Sequence, residues 1–408
     1  VPIKTQHIKA AMRPARKVHG VRTKSIGALL LLTATVTPAP AVDKVWSPSD
    51  PGNSWNDYFN WSPLTAVAPV NPGDTATFNG ATLISPTINA PVTIDSITFV
   101  PGASVFSIQV APLGVGLTLQ GAGIVNNSGQ TQTIINSGAI SFTSFTTGAT
   151  AGNATIFNSG AISFTSFTTG ATAGNATIFN SGAISSTSFT TGATAGNATI
   201  NNSGEDSLTS FTTGATAGSA TIINSGGESF TLFSGASAGS ATINNSGTSS
   251  RTSFTTDATA GNATINNSGP SSFTSFDTGA SAGNATIFNS GANSVTSFEG
   301  ATAGNATISN SGTSSSTSFT EGASAGNATI TNSGDGSFTA FILGASGGNA
   351  ALINANPTAF ITIAGLSGQG TTVGSIAGSG NLFLGSKNLT VGGNQQSTVF
   401  TGVISDVG

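Results

Sequence analysis

The chain has no cysteine, one methionine and one tyrosine, and only 6% of its 408 residues are charged. The missing cysteine excludes disulfide staples, thiolate catalysis and cysteine-ligated metals. The scarcity of charge, against about a quarter in ordinary globular proteins, leaves little for ion-pair networks to do. Disorder does not follow. Disordered chains combine low hydrophobicity with high net charge, whereas 37% of this chain is hydrophobic.

Basic residues are scarcer still beyond position 24, because seven of the ten Lys and Arg residues and both histidines (His7 and His19) lie within the first 24 residues. That basic stretch is followed by IGALLLLTATV at positions 26–36 and then by Ala39-Pro40-Ala41. A basic segment, a short apolar run and a small-x-small triplet make the pattern of a secretory signal peptide, and the run is too short to span a bilayer. We expect a signal peptide over 1–41, with Ala39 and Ala41 at the cleavage site and Met12 as an alternative start to Val1. The chain after it carries three basic residues (Lys44, Arg251 and Lys387) against 14 acidic ones, a formal charge of −11. Such a surface cannot neutralise phosphates, so nucleic acid is not an expected partner. Without His or Cys, Ser-His-Asp and Cys-His catalysis and ordinary zinc, haem or copper sites are excluded. No cofactor or metal is expected.

What the sequence has in abundance is repetition. NATIFNSGAISFTSFTTGATAG at 153–174 is followed at once by NATIFNSGAISSTSFTTGATAG at 175–196. Ile156, Ile178 and Ile200 belong to a column of ten isoleucines running from Ile134 to Ile330, spaced by 22 residues with two steps of 21. Phe145, Phe167, Phe189 and Phe211 open a parallel column that ends at Phe341, and Asn158, Asn180 and Asn202 belong to a third.

Each copy holds two short segments of period 2, the pattern of a strand with one buried face. In the first, the Ala154, Ile156 and Asn158 columns hardly vary, whereas the Phe157 column accepts Phe, Asn, Ile, Ser and Thr. In the second, Ser163, Thr165 and Phe167 recur in every copy while Phe164 becomes Ser186, Leu208, Arg251 or Val295. The constant positions should face inward. Helix is excluded by a composition of Gly, Thr, Ser, Asn and Ile without 3.6 periodicity. Corners are expected at Asn158–Gly160 and Gly170–Gly174, where Gly and Asn accept positive φ.

A unit of 22 residues cannot bury its own apolar face and must stack on its neighbours. The expected fold is all-β, a right-handed parallel β-helix (β-solenoid) of about ten 22-residue coils with irregular strand-rich ends. Stacked asparagines should form an amide ladder along the axis. The expected organisation is an N-terminal capping β region over 42–130, the repeat solenoid over 131–354 and a C-terminal β-strand repeat region over 355–408.

The N-terminal segment WSPSDPGNSWNDYFNW, with GDTATF and IDSITFVPGA after it, resembles the start of bacterial autotransporter passenger domains. GSGNLFLGSKNLTVGGNQQSTVFTGVIS, at 378–405, is similar to the autotransporter-associated β-strand repeat. The resemblance implies a β-helix exported through the outer membrane of a Gram-negative cell to its surface or beyond. It also implies a C-terminal outer-membrane translocator barrel, which this chain does not contain.

The chemistry-bearing residues are few. Glu205, Asp206, Glu228, Asp257, Asp277, Glu299, Glu321 and Asp335 fall at outward or loop positions without forming a column, although Asp277 and Glu299 stand in adjacent coils. They are read as solvated charges, and the Asn-Ala-Thr triplets as products of the repeat. An outward threonine column from Thr155 to Thr329 suits strands as well as it would suit ice binding. The functional expectation is a non-enzymatic secreted or cell-surface adhesin or spacer whose partners are cell surfaces, matrix glycans or proteins, or its own copies. A self-assembling amyloid-like matrix subunit is the alternative, ahead of a polysaccharide-active enzyme or an ice-binding protein.

Overall fold

The computed structural model describes residues 41–48, 52–82 and 84–406. The signal-peptide expectation, Ala39 included, lies outside the described residues. From there on the chain is a β-solenoid of about 15 turns. One parallel sheet of 14 strands carries the Ile and Asn columns, and a second sheet of 18 strands carries the Phe column. Pairing follows the repeat: Ile156 lies opposite Ile178 and Asn158 opposite Asn180, and Phe167 lies opposite Phe189. A third side is marked by one bridge per coil, from Thr150↔Thr172 to Ser324↔Ser346.

The alternating pattern explains the burial. In Thr155–Asn158, Ile156 and Asn158 have no exposed surface, and in Phe164–Phe167 neither do Thr165 and Phe167. On the third side, Ala171 and Ala173 flank the bridge residue Thr172 and are also fully buried. The Phe rings stack face to face at 4.7 to 5.0 Å with their planes 5–7° apart from Phe145 to Phe341, which is the inter-strand spacing of a sheet.

The buried polar residues form one connected system. Asn136 Nδ2 donates to Asn158 Oδ1, Asn158 to Asn180 and Asn180 to Asn202, each over 2.7 Å. The series continues in the same direction to Asn354. Thr165 Oγ1 donates sideways to Asn158 Oδ1 over 3.1 Å, and Ser163 Oγ donates to the Gly160 carbonyl over 2.7 Å. Both constant positions beside each Phe are hydroxyl residues because these bonds satisfy the interior amides and corner carbonyls, which burial would otherwise penalise.

The corner at Gly170–Gly174 is as expected, with both glycines left-handed (φ 75° and 62°), whereas the corner at Asn158–Gly160 differs. Gly160 is not left-handed. A Cβ there would lie 2.2 Å from the Gly138 carbonyl oxygen of the coil beneath, so close backbone approach excludes a side chain. The left-handed residue is Ile162 (φ 60°), with Ile140, Ile184, Asp206 and Glu228 at equivalent positions, and a second lies at Thr169 (φ 53°). Isoleucine is strained there, and it is held because Ile162 N–H bonds to the Ala183 carbonyl of the next coil.

The flanking segments continue the stack, so the ten regular coils are its middle part. Strands Asp43–Trp46, Thr75–Phe78, Val92–Phe99 and Gly116–Asn126 lead in parallel to Phe142–Phe145. Trp46, Trp55 and Trp61 fill the interior before the columns begin, with ring centroids 4.8 Å apart for Trp55 and Trp61 and 5.0 Å for Trp46 and Trp61. Trp61–Ser62 then pairs antiparallel with the first strand and covers its outer edge. Buried Asp74 accepts the backbone N–H groups of Val42, Val70 and Asn71 at 2.8 to 2.9 Å. At the other end, Ser375–Gly378, Asn381–Phe383 and Ile404–Ser405 continue the two sheets, so coiling persists where the 22-residue line is lost. Gly370–Val373 and Asn388–Val391 belong to neither large sheet and form a separate parallel pair.

Candidate functional surface

The columns singled out by repetition, Ile156, Ile178 and Ile200, Asn158, Asn180 and Asn202, and Phe145, Phe167, Phe189 and Phe211, lie entirely in the interior. They build the rod and meet nothing outside it. Any function therefore belongs to the outward columns and the ends. Ala41, exposed, begins the described chain.

The outward position of the Ile sheet reads Ile135, Phe157, Phe179 and Asn201 in successive coils, and that of the Phe sheet reads Phe142, Phe164, Ser186 and Leu208. The exposed corner between them carries Ile140, Ile162 and Ile184, which are 45 to 56% exposed. Phe157 stacks on Phe179 at 4.8 Å and Phe142 on Phe164 at 5.0 Å. One edge of the first regular coils is thus an apolar patch, and it ends where Asp206 and Glu228 take over the corner. Contiguous exposed apolar side chains of this kind mark contact surfaces on soluble proteins. Sequence reasoning missed the patch because Ile162, adjacent to a glycine turn, belongs to neither strand.

The acidic residues meet at one place. Glu299 stands between Asp277 and the neighbouring turn that carries Glu321. The Glu321 charge raises the exposed Glu299 carboxyl above its usual range, and slight desolvation, a hydrogen bond with Glu321 and the Asp277 charge add to the shift. Burial raises Asp277 as well. Among the described residues no three His, Cys, Asp or Glu side chains are grouped as metal ligands. In the N-terminal coils Asp74 is spent on backbone groups, and Asp95 packs against Gly121, where a Cβ would lie 1.9 Å from its Oδ1.

Some of the outward hydroxyls and amides bond to nearby backbone or to the equivalent residue of the next coil. Thr172 Oγ1 accepts the Gly174 N–H over 3.0 Å, and Ser166 Oγ donates to Ser144 Oγ over 2.9 Å. The exposed Asn residues that begin the Asn-Ala-Thr triplets form a second, interrupted amide ladder, in which Asn197 donates to Asn175 over 3.2 Å and Asn284 to Asn262 over 3.1 Å.

One concave feature stands out. Where Gly370–Val373 and Asn388–Val391 diverge from the third side, they leave an open groove of about 530 Å³ floored by Gly344, Ala345 and Ser346. Among the described residues, no helix is long and apolar enough to cross a membrane. No protein-family model, curated protein or solved structure matches this chain, so its likeness is to an architecture, the β-solenoid, rather than to a family.

Proposed function

We infer that this is a non-enzymatic β-solenoid exported to the cell surface or the medium of a Gram-negative bacterium, where it acts as an adhesin or spacer in the manner of autotransporter passengers. The observation that carries this reading is the division of labour within each coil. Inward residues are held constant over ten coils, whereas the outward Phe164 column changes through Ser186, Leu208, Phe230, Arg251 and Phe273. A rod so built keeps its shape while its surface is free to vary, as a scaffold for distributed contacts requires.

Display of the chain on a non-adherent bacterium, followed by counting of cells retained on glycan- and protein-coated surfaces under flow, tests the reading. Retention above that of cells displaying a coil-deleted rod of scrambled outward sequence is expected. Equal retention would sink it.

The second reading, a self-assembling matrix subunit, is favoured by the apolar edge of Ile140, Ile162 and Ile184, and by Val399, Val403 and Ile404, which are 51 to 74% exposed in the last rung. Strand edges and apolar patches of this kind join chains to one another. Purified protein that forms thioflavin-positive fibres within days would favour it, and protein that stays monomeric at high concentration would remove it.

A further inference from the structure

The bridge ladder of the third side runs unbroken from Thr150 to Ser346 and then stops. The next pass of the chain makes no further bridge there, and Gly370–Val373 pairs with Asn388–Val391. The step that results is the groove floored by Ser346 and walled by Gln369, Thr371, Thr372, Asn388 and Thr390.

The walls are held in place by backbone. Gly347 N–H donates to Thr371 Oγ1 over 2.8 Å, and Asn388 N–H donates to the Gln369 carbonyl over 2.8 Å. Gly370 approaches Asn388 so closely that a Cβ would lie 1.9 Å from its carbonyl oxygen. Val373, at the end of the same strand, is buried and anchors it to the core. The side chains of Gln369, Asn388 and Thr390 are exposed and make no hydrogen bond within the described chain, so their donors and acceptors are available to a ligand.

We propose that this groove binds a segment of neutral polysaccharide. Its walls present amides and hydroxyls, which both donate and accept and so match the dual character of sugar hydroxyls. No charged side chain lines it, so nothing there selects an anion or a cation; Lys387 precedes Asn388 in sequence but is not part of the lining. Its volume lies within the usual range of small-ligand sites. Because it is open rather than enclosed, it can admit the interior of a glycan chain as well as an end. The site deepens the adhesin reading, on which it rests for its biological setting but not for its chemistry.

The test is calorimetric or saturation-transfer titration of the full chain with cellotetraose, xylotetraose, maltotetraose and mannotetraose. At least one should bind saturably. The double variant Gln369→Ala, Asn388→Ala should weaken that binding by about tenfold or more without shifting thermal melting, because neither side chain has an intramolecular partner. Thr390→Val, which keeps the shape and removes the hydroxyl, should weaken it as well. Failure of all four sugars to bind, or equal binding by wild type and both variants, overturns the proposal. The displayed-cell assay separates the two readings: retention that survives the double variant while no sugar binds leaves the adhesin standing and removes this site, whereas sugar binding without any retention removes the adhesin alone.

Discussion

Asn224 Nδ2 donates to Asn245 Oδ1 over 2.7 Å, as in every neighbouring coil, although these two residues are 21 and not 22 positions apart. The lost residue comes from a corner. Phe211-Thr212-Thr213-Gly214 becomes Phe233-Ser234-Gly235, and the left-handed Thr213 disappears while Gly235 takes φ 57°. The same omission, at Glu299-Gly300, shortens the coil between Asn289 and Asn310, again with a 2.7 Å bond.

Deletion of Thr191 should therefore be tolerated, because it converts Thr190-Thr191-Gly192 into the short corner already used twice. Deletion of Ser188, three positions earlier, shifts one strand face by a residue and turns Phe189 outward. Thermal melting within a few degrees of wild type is expected for the first deletion, and protease-sensitive cleavage near 180–200 for the second. Equal behaviour of the two would contradict the assigned corner.

Removing one rung of the amide ladder should open the rod locally. Asn245→Leu removes the axial partner of the Asn224 and Asn267 amides and leaves the buried Thr252 hydroxyl, which bonds only to Asn245, unsatisfied at a cost of about 1–3 kcal/mol. Hydrogen exchange should quicken in the coils that include Asn224 and Asn267 and stay slow near Asn136 and Asn332, because each coil contacts only its neighbours. Unchanged protection would show that the ladder adds nothing.

Two substitutions at one corner should act in opposite directions. Gly182→Ala places a Cβ 2.2 Å from the Gly160 carbonyl oxygen and should destabilise. Ile184→Asn replaces a β-branched residue at φ 59° with one that accepts the left-handed region, and should stabilise by about 1 kcal/mol. Melting temperatures of the two variants settle the assignment, and a stabilised Gly182→Ala would reverse it.

The acidic corner predicts a pH dependence. A carboxyl whose folded pKa is raised contributes stability that is fully present below its unfolded pKa and is lost as pH rises through the folded value. Glu299 and Asp277 are both raised, so stability should fall from the upper carboxylate range towards neutrality, and Glu299→Gln should remove much of that fall. The variant should melt above wild type at pH 7 in low salt and with it at pH 3, with the gap narrowing in concentrated salt. A lower melting point at pH 7 would show that the Glu299 charge is stabilising.

The regular coils were legible in the sequence because their inward faces repeat, and period 2 separated Ile156 and Asn158 from Phe157. The flanking coils were less so: around Trp46 and Phe78 the core is filled by irregular large side chains, and no column announces the spacing. The corner chemistry was also hidden, since Gly160 and Ile162 each do what the other's residue type suggests. That exchange depends on the coil beneath, which a local pattern does not contain. The groove escaped for the same reason, because it arises where the chain stops following its own repeat, at Ser346, and only the stacking reveals the step.

The joint between coils at Gly152-Asn153 is spelled like that at Gly174-Asn175, and both sit on the same bonded framework. A copying event that starts at one and ends at the other inserts or removes a complete rung, with no broken contact at either seam. Such a molecule has a unit of length in place of a fixed length, about 4.8 Å per event. Its reach is therefore a quantity that inheritance can adjust in single steps, and lineages that need a longer or shorter arm can obtain one without first passing through a misfolded intermediate.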